Sequence, residues 1–217
     1  MRVLQWALDL LYPPKCMVCQ RLLEPEQRDL CPQCRTALTL QERPPRKPRM
    51  ADSAVAVYVY DDALRPSLLR YKFGGKACYA RSYGPMLAEK LRQQEVEFDL
   101  LTWVPVSRKR RRKRGYDQAQ LLAQQTAKAL GTKAVPILRK VRDNMPQSRI
   151  QDAARRKANV SGVYKLRPGI QVQEKRILLI DDIMTTGATL DEAALVLRTA
   201  HAASVQVAVF AAAGRAK

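Results

Sequence analysis

Apolar residues in this chain gather in short runs that alternate with helix-periodic stretches. Residues 53–60 (SAVAVYVY), 100–106 (LLTWVPV), 134–138 and 204–211 each read as a strand bounded by turn residues. The four residues Ile177 to Ile180 are apolar at every position, as expected of a strand buried on both faces. Between these runs, helices are predicted over 63–71, from Gln118 to about residue 130, and over 189–200. Asp117 suits the N-cap of the second, Gly131 its stop, and Gly74-Gly75 a turn that ends the first. Strands that alternate with helices after residue 50 predict an α/β fold with an open, mostly parallel sheet flanked by helices.

The first 50 residues follow another pattern. Val3, Leu4, Ala7, Leu8 and Leu11 fall at helical spacing, which predicts a short amphipathic helix packed on the body or on a partner. Gln5 and Asp9 interrupt its apolar character, and no small-residue cleavage site follows. Residues 41–50 hold Pro44, Pro45 and Pro48 among basic residues and read as an extended linker, so a domain boundary is expected near residue 50. No apolar run reaches the length of a membrane span, and a cytoplasmic location is expected.

Between that helix and the linker lie Cys16, Cys19, Cys31 and Cys34, in the arrangement C-x2-C, eleven residues, C-x2-C. Each pair places two thiolates on one tight turn, and two such turns complete a tetrahedral Zn²⁺ site. Four sulfurs leave no position for water, so the zinc expected here is structural. A pair of disulfides is the competing reading, disfavoured in a reducing cytosol. So few apolar residues in this module assign much of its stability to the metal.

A second cluster of chemistry closes the Ile177–Ile180 run. Two adjacent carboxylates, Asp181 and Asp182, are followed by Thr185, Thr186, Gly187 and Thr189 at the start of a helix. Ligands of open parallel sheets bind beyond the carboxyl ends of strands, where a helix N-terminus offers free N–H groups and its positive dipole end to an anion. Three hydroxyls and a glycine suit a phosphate. The carboxylates need another partner, either ribose hydroxyls or Mg²⁺, and together these features describe a phosphorylated ribose. A plainer reading leaves the acidic pair as the cap of a turn and the threonines as a helix start. Neither a P-loop nor a dinucleotide fingerprint is present.

Charge adds a third feature. The net charge is +19, and residues 101–165 alone hold 17 Lys/Arg against 3 Asp/Glu, whereas residues 51–100 balance at 7 against 7. The core of the excess is the unbroken run Arg108, Lys109, Arg110, Arg111, Arg112, Lys113 and Arg114, read as an anion-seeking loop after the 100–106 strand. Such a field attracts pyrophosphate or nucleic acid, unless it is only a solvated face. Cys78 stands alone and is expected to be a buried small hydrophobe; the single histidine, His201, sits at a helix end. Ser-His or Cys-His chemistry is therefore not expected. Tyr116, beside the basic run, suits base stacking and packing equally.

The order apolar run, Asp181-Asp182, two residues, Thr185-Thr186-Gly187, one residue, Thr189 resembles the phosphoribosyl pyrophosphate (PRPP) signature of type I phosphoribosyltransferases. The strand end at 104–106, the pair Arg114-Gly115, Gln118 and the four-cysteine module further resemble the ComF/GntX family of competence-associated proteins. That resemblance implies a phosphoribosyltransferase-like sheet with a hood at residues 51–100 and a zinc module at the N-terminus. Asp181 and Asp182 would orient the ribose hydroxyls and Mg²⁺, while Thr185, Thr186, Gly187 and Thr189 would hold the 5′-phosphate. Arg112 and Arg114 would help with pyrophosphate, and a loop near Pro146-Gln147 and Arg156-x-x-Asn159 would close over PRPP. Asp117 stands where the family pattern has Asn. The resemblance also implies a role in DNA uptake with single-stranded DNA and competence or recombination proteins as partners. The other implied reading is a working transferase that displaces pyrophosphate from ribose C1 in favour of an acceptor the sequence does not name.

Overall fold

A computed structural model describes residues 13–142 and 162–214. The predicted helix at 3–11 and the loop residues Pro146, Gln147, Arg156 and Asn159 lie outside the described residues.

Strands β1 (Ser53–Val59), β2 (Leu100–Trp103), β5 (Arg176–Met184) and β6 (Ser204–Ala212) form one sheet in the order β1-β6-β5-β2, with every pair parallel. Ile177 to Ile180 are fully buried, because helices cover both faces of β5. On one face lie α2 (Arg65–Phe73), α3 (Ala80–Gln93) and α5 (Gln118–Ala129). On the other lie α6 (Ala188–Thr199) and a two-stranded antiparallel ribbon, β3 (Leu138–Lys140) with β4 (Tyr164–Leu166). Within the described residues no helix is long and apolar enough to cross a membrane.

Several local expectations change. β5 runs four residues past its apolar run, so the acidic pair lies within the strand rather than beyond it. The stretch 134–138 is not a strand: Ala134 makes a single bridge to Leu101, Pro136 has no N–H to give a ladder, and β3 starts at Leu138. The basic run is not a loop but the helix α4 (Arg108–Arg114), whose N-cap Ser107 accepts a hydrogen bond from Arg110 N at 3.2 Å. Gly115 ends it at φ +82, a left-handed conformation that glycine takes at no steric cost. Lys and Arg are good helix formers, and their heads reach water from any face of a short surface helix. Cys78 is exposed rather than buried, in the turn after α2. Tyr116 is a packing residue: its hydroxyl donates to the Tyr71 carbonyl and its ring lies 6.2 Å from that of Tyr71.

The cysteine module is not a free appendage. Cys16, Met17, Leu30, Cys34 and Leu38 share one buried cluster with α2, α3 and α5. The 41–50 segment starts along β1, with Gln41 N bonded to Val57 O at 2.9 Å and Leu40 bridged to Tyr58. It later brings the Pro48 ring against Gly187.

Helices α3 and α5 cross at Gly84. A Cβ at that position would lie 2.4 Å from Gln125 Cβ and 2.7 Å from the Gln125 carbonyl carbon. Helix backbones that approach this closely accept no side chain between them. Gly84→Ala is expected to destabilise the fold by about 1–3 kcal/mol through overpacking, read as a lower urea midpoint at unchanged slope.

Candidate functional site

Two centres emerge. The first is the cysteine cluster, where the four sulfurs lie within 4.8 Å of one another and Cys19 Sγ is 3.7 Å from Cys31 Sγ. Tetrahedral thiolates about 2.3 Å from zinc stand about 3.8 Å apart, so the spacing fits the metal. The Cys16–Cys19 turn closes through Gln20 N to Cys16 O at 2.9 Å, and Cys31 begins the helix α1 (Pro32–Ala37), one turn of which delivers Cys34. Burial pushes the Cys16 thiol up, but backbone N–H groups of Cys31, Cys19 and Val18 outweigh it and hold the thiol down at about 6. Burial and the neighbouring sulfurs push Cys34 up instead. A divalent cation would relieve that repulsion, as in a closed structural site. All four are free thiols in a single cluster, rather than two bonded pairs.

The second centre is a cavity of about 350 Å³ at the carboxyl ends of β2 and β5. From β5 the chain turns toward β6, and from β2 toward α4 and α5. Such a divergence of neighbouring strands opens the crevice in which parallel sheets bind ligands. Asp181, Asp182, Thr185, Thr189, Arg110 and Arg114 all line it. Thr186 and Gly187 stand beside it at the α6 N-terminus, outside the lining. Gly187 is favoured on backbone grounds: its φ is +77, a left-handed conformation that side-chain-bearing residues rarely adopt.

Strand alternation sends the two carboxylates to opposite faces. Asp182 enters the α2 side, where its carboxylate is 2% exposed. Its Oδ1 accepts Ile183 N at 2.9 Å and pairs with Lys72 Nζ at 3.1 Å. Its Oδ2 is buried with no hydrogen bond among the described residues. Asp181 Oδ1 accepts Asp182 N at 2.8 Å. Burial, and then the Asp182 carboxylate, push the Asp181 carboxyl well above the usual range despite the attraction of Lys72. Asp117 caps α5 and ties it to the β2 exit: its Oδ1 accepts Gln120 N at 3.1 Å and its Oδ2 accepts Val106 N at 3.0 Å.

The basic helix α4 has two sides. Arg110 and Arg114, four residues apart, are half-buried and face the cavity, whereas Arg108, Lys109, Arg111, Arg112 and Lys113 are exposed and do not line it. Arg114 donates to Gln118 Oε1 at 2.7 Å and lies 4.6 Å above the Phe73 ring. Lys72, Lys140, Tyr164, Tyr60, Leu69 and Phe73 also line the wall, and the sequence singles out none of these six. Lys72 had a weak signal, as a cation at a helix end just before Gly-Gly. Nothing local announces its partner 110 positions away.

These features agree with comparisons to known proteins. Residues 117–217 match the phosphoribosyl transferase domain, and residues 7–49 match the double zinc ribbon domain. Over 196 residues the chain is 27% identical to competence protein ComFC of Streptococcus pneumoniae, covering 88% of this chain and 84% of that protein. Over 205 residues it is 28% identical to the DNA utilization protein YhgH of Escherichia coli K12, covering 88% and 87%. Among solved structures, glutamine phosphoribosylpyrophosphate amidotransferase from B. subtilis matches at 25% identity and a TM-score of 0.45, over 65% of this chain and 30% of that one.

Elemental analysis of the purified protein is expected to give close to one zinc per chain, and Cys31→Ser to lose it. The cluster sits in the main core, so the variant should melt lower by roughly 10 °C or more, with each kcal/mol worth about 2–4 °C in a domain of this size. Full zinc loading of the variant would remove Cys31 from the ligand set.

Proposed function

We propose that this chain, which joins a double zinc ribbon to a phosphoribosyl transferase domain and resembles ComFC and YhgH, is a ComF/GntX-type protein that serves DNA uptake or utilization, binding Mg-PRPP in the β2/β5 cavity and single-stranded DNA on the outer side of α4. The observation that carries this reading is the cavity itself, which gathers two carboxylates, two threonines and the four cations Lys72, Arg110, Arg114 and Lys140. A ligand for such a wall must combine several negative charges with hydroxyl donors. In this reading Thr185, Thr189 and the α6 N-terminus hold the 5′-phosphate, and Asp181 faces the ribose hydroxyls. Arg110, Arg114 and Lys140 face the pyrophosphate, with Arg110 and Arg114 in the place first given to Arg112 and Arg114. Mg²⁺, bound with PRPP, would neutralise charge on the pyrophosphate, and Asp181 and Asp182, the carboxylates that line the cavity, would be the residues to hold it. The outward cations of α4 keep their charge away from the cavity, on a surface that suits a polyanion.

One observation favours a working transferase as the second reading. Tyr60, Leu69 and Phe73 give the cavity an apolar side, and its 350 Å³ is within the usual range for small-molecule sites. An acceptor seated there would meet an oxocarbenium-like centre, whose stabilisation rests on charge and positioning rather than on a protein nucleophile.

Calorimetric titration of Mg-PRPP into the wild-type protein is expected to show saturable binding that Asp181→Asn/Asp182→Asn abolishes. Absence of binding by the wild type would reduce the motif to inherited architecture. Replacing Arg108, Arg111 and Arg112 with Ser should weaken single-stranded DNA binding irrespective of sequence and flatten the log–log salt slope by up to about 2, at about 0.7 per phosphate released. PRPP affinity should be unchanged in that variant. An unaltered slope would clear the outer side of α4 of any role.

A further inference from the structure

Helix α2 touches both centres. On one side Ser67 Oγ donates to the Met17 carbonyl at 2.5 Å, while Arg70 Nη2 donates to the same carbonyl at 3.0 Å and to that of Val18. Met17 and Val18 are the two residues between Cys16 and Cys19, so the acceptors are the backbone of the first zinc-binding turn. Lys72 lies two positions beyond Arg70, about 200° around the helix, and therefore projects the opposite way. There it pairs with the buried Asp182 at 3.1 Å. Phe73 follows and closes the cavity wall.

The helix has little reason to hold this position alone. It spans nine residues, and its N-cap, Leu64, provides no side-chain cap. Helices of fewer than about 12 residues are marginal in isolation and take their stability from tertiary contacts. On α2 those contacts are the buried Leu68 and Tyr71, the hydrogen bonds of Tyr71 to Gln118 and Tyr116, and the bonds of Ser67 and Arg70 to the cysteine turn. A metal that fixes the turn thus fixes the acceptors to which one side of α2 is tied.

We propose that Ser67 and Arg70 are positioning residues that couple the zinc-bound Cys16–Cys19 turn to the alignment of Lys72 against Asp182. Resting on the reading of the cavity as a PRPP site, the coupling makes an ordered zinc ribbon a condition for full PRPP affinity. By reciprocity, PRPP would stabilise the ribbon by the same factor.

The test uses the zinc-loaded full chain with Arg70→Met, which keeps the stem and removes the donors, together with Arg70→Lys, Lys72→Met and the Arg70→Met/Lys72→Met double variant. The first readout does not depend on PRPP: the rate at which an amine-reactive ester acylates Lys72, measured by mass spectrometry against the exposed Lys128 and Lys133. Arg70→Met is expected to speed Lys72 acylation several-fold at full zinc content, with partial recovery in Arg70→Lys. The second readout is Mg-PRPP affinity. Arg70→Met should weaken it about 5-fold or more, and the double variant should bind no worse than Lys72→Met alone, as for residues acting in series. Unchanged Lys72 acylation in zinc-loaded Arg70→Met, or strictly additive losses in the double variant, would overturn the coupling. If Arg70→Met fails to hold zinc, Ser67→Ala removes one bond at the same turn and is read in the same way. If the wild type binds no PRPP, the cavity reading fails, and the acylation rates alone decide the coupling.

Discussion

A carboxylate buried at the end of a central strand constrains everything around it. Asp182 is almost wholly removed from water, and a charge so placed costs several kcal/mol unless a counter-ion and hydrogen bonds compensate it. Ile183 N and Lys72 supply that compensation to one oxygen. Lys72 can reach only if α2 lies across the strand ends. That position is held by the Tyr71 hydroxyl, which donates to Gln118 O at 2.6 Å, and by the cysteine turn on the opposite side. The second oxygen is buried without a hydrogen bond among the described residues, in a residue that lines the cavity.

The same constraint explains why the metal module is part of the core. A four-cysteine ribbon of this size has too little apolar surface to fold by burial alone, so thiolate–metal bonds stand in for a hydrophobic core. Here the ribbon gives back part of that stability, since Met17, Leu30 and Leu38 cover one side of the helices that roof the cavity. Gln20 Nε2 bonds to Tyr79 Oη at 2.6 Å and Asp29 accepts from Ser82 Oγ at 2.5 Å, extending the joint to the start of α3. Ribbon and cavity are two ends of one packed unit.

Sequence and structure agree most closely where a single physical pattern decides the outcome. β5 and β6 are apolar on both faces and could be placed within a few residues, and Asp117 and Gly131 bound α5 as cap and stop. The acidic pair and the threonines were legible because strand, turn and helix fix their spacing. Patterns in conflict were less legible. Helix α3 has a regular buried stripe at Ala80, Tyr83, Gly84, Leu87, Ala88 and Leu91, but Gly84 and Pro85 interrupt its propensity. The glycine is there for the crossing with α5. The 108–114 run looks like a loop by charge and forms a helix because Ser107 and Gly115 cap it. Lys72, Lys140 and Tyr164 reach the cavity through tertiary contacts, for which no periodicity exists.

The two sides of α4 separate demands that a count of charges merges. Seven consecutive cations repel one another, the more so as i,i+4 neighbours on a helix, and the caps at Ser107 and Gly115 work against that repulsion. Turning Arg110 and Arg114 inward has a cost in solvation, offset by the Gln118 amide, the Phe73 ring and the nearby carboxylates. The outward five keep their water, so a small anion in the cavity and a long one on the surface need not compete for the same side chains.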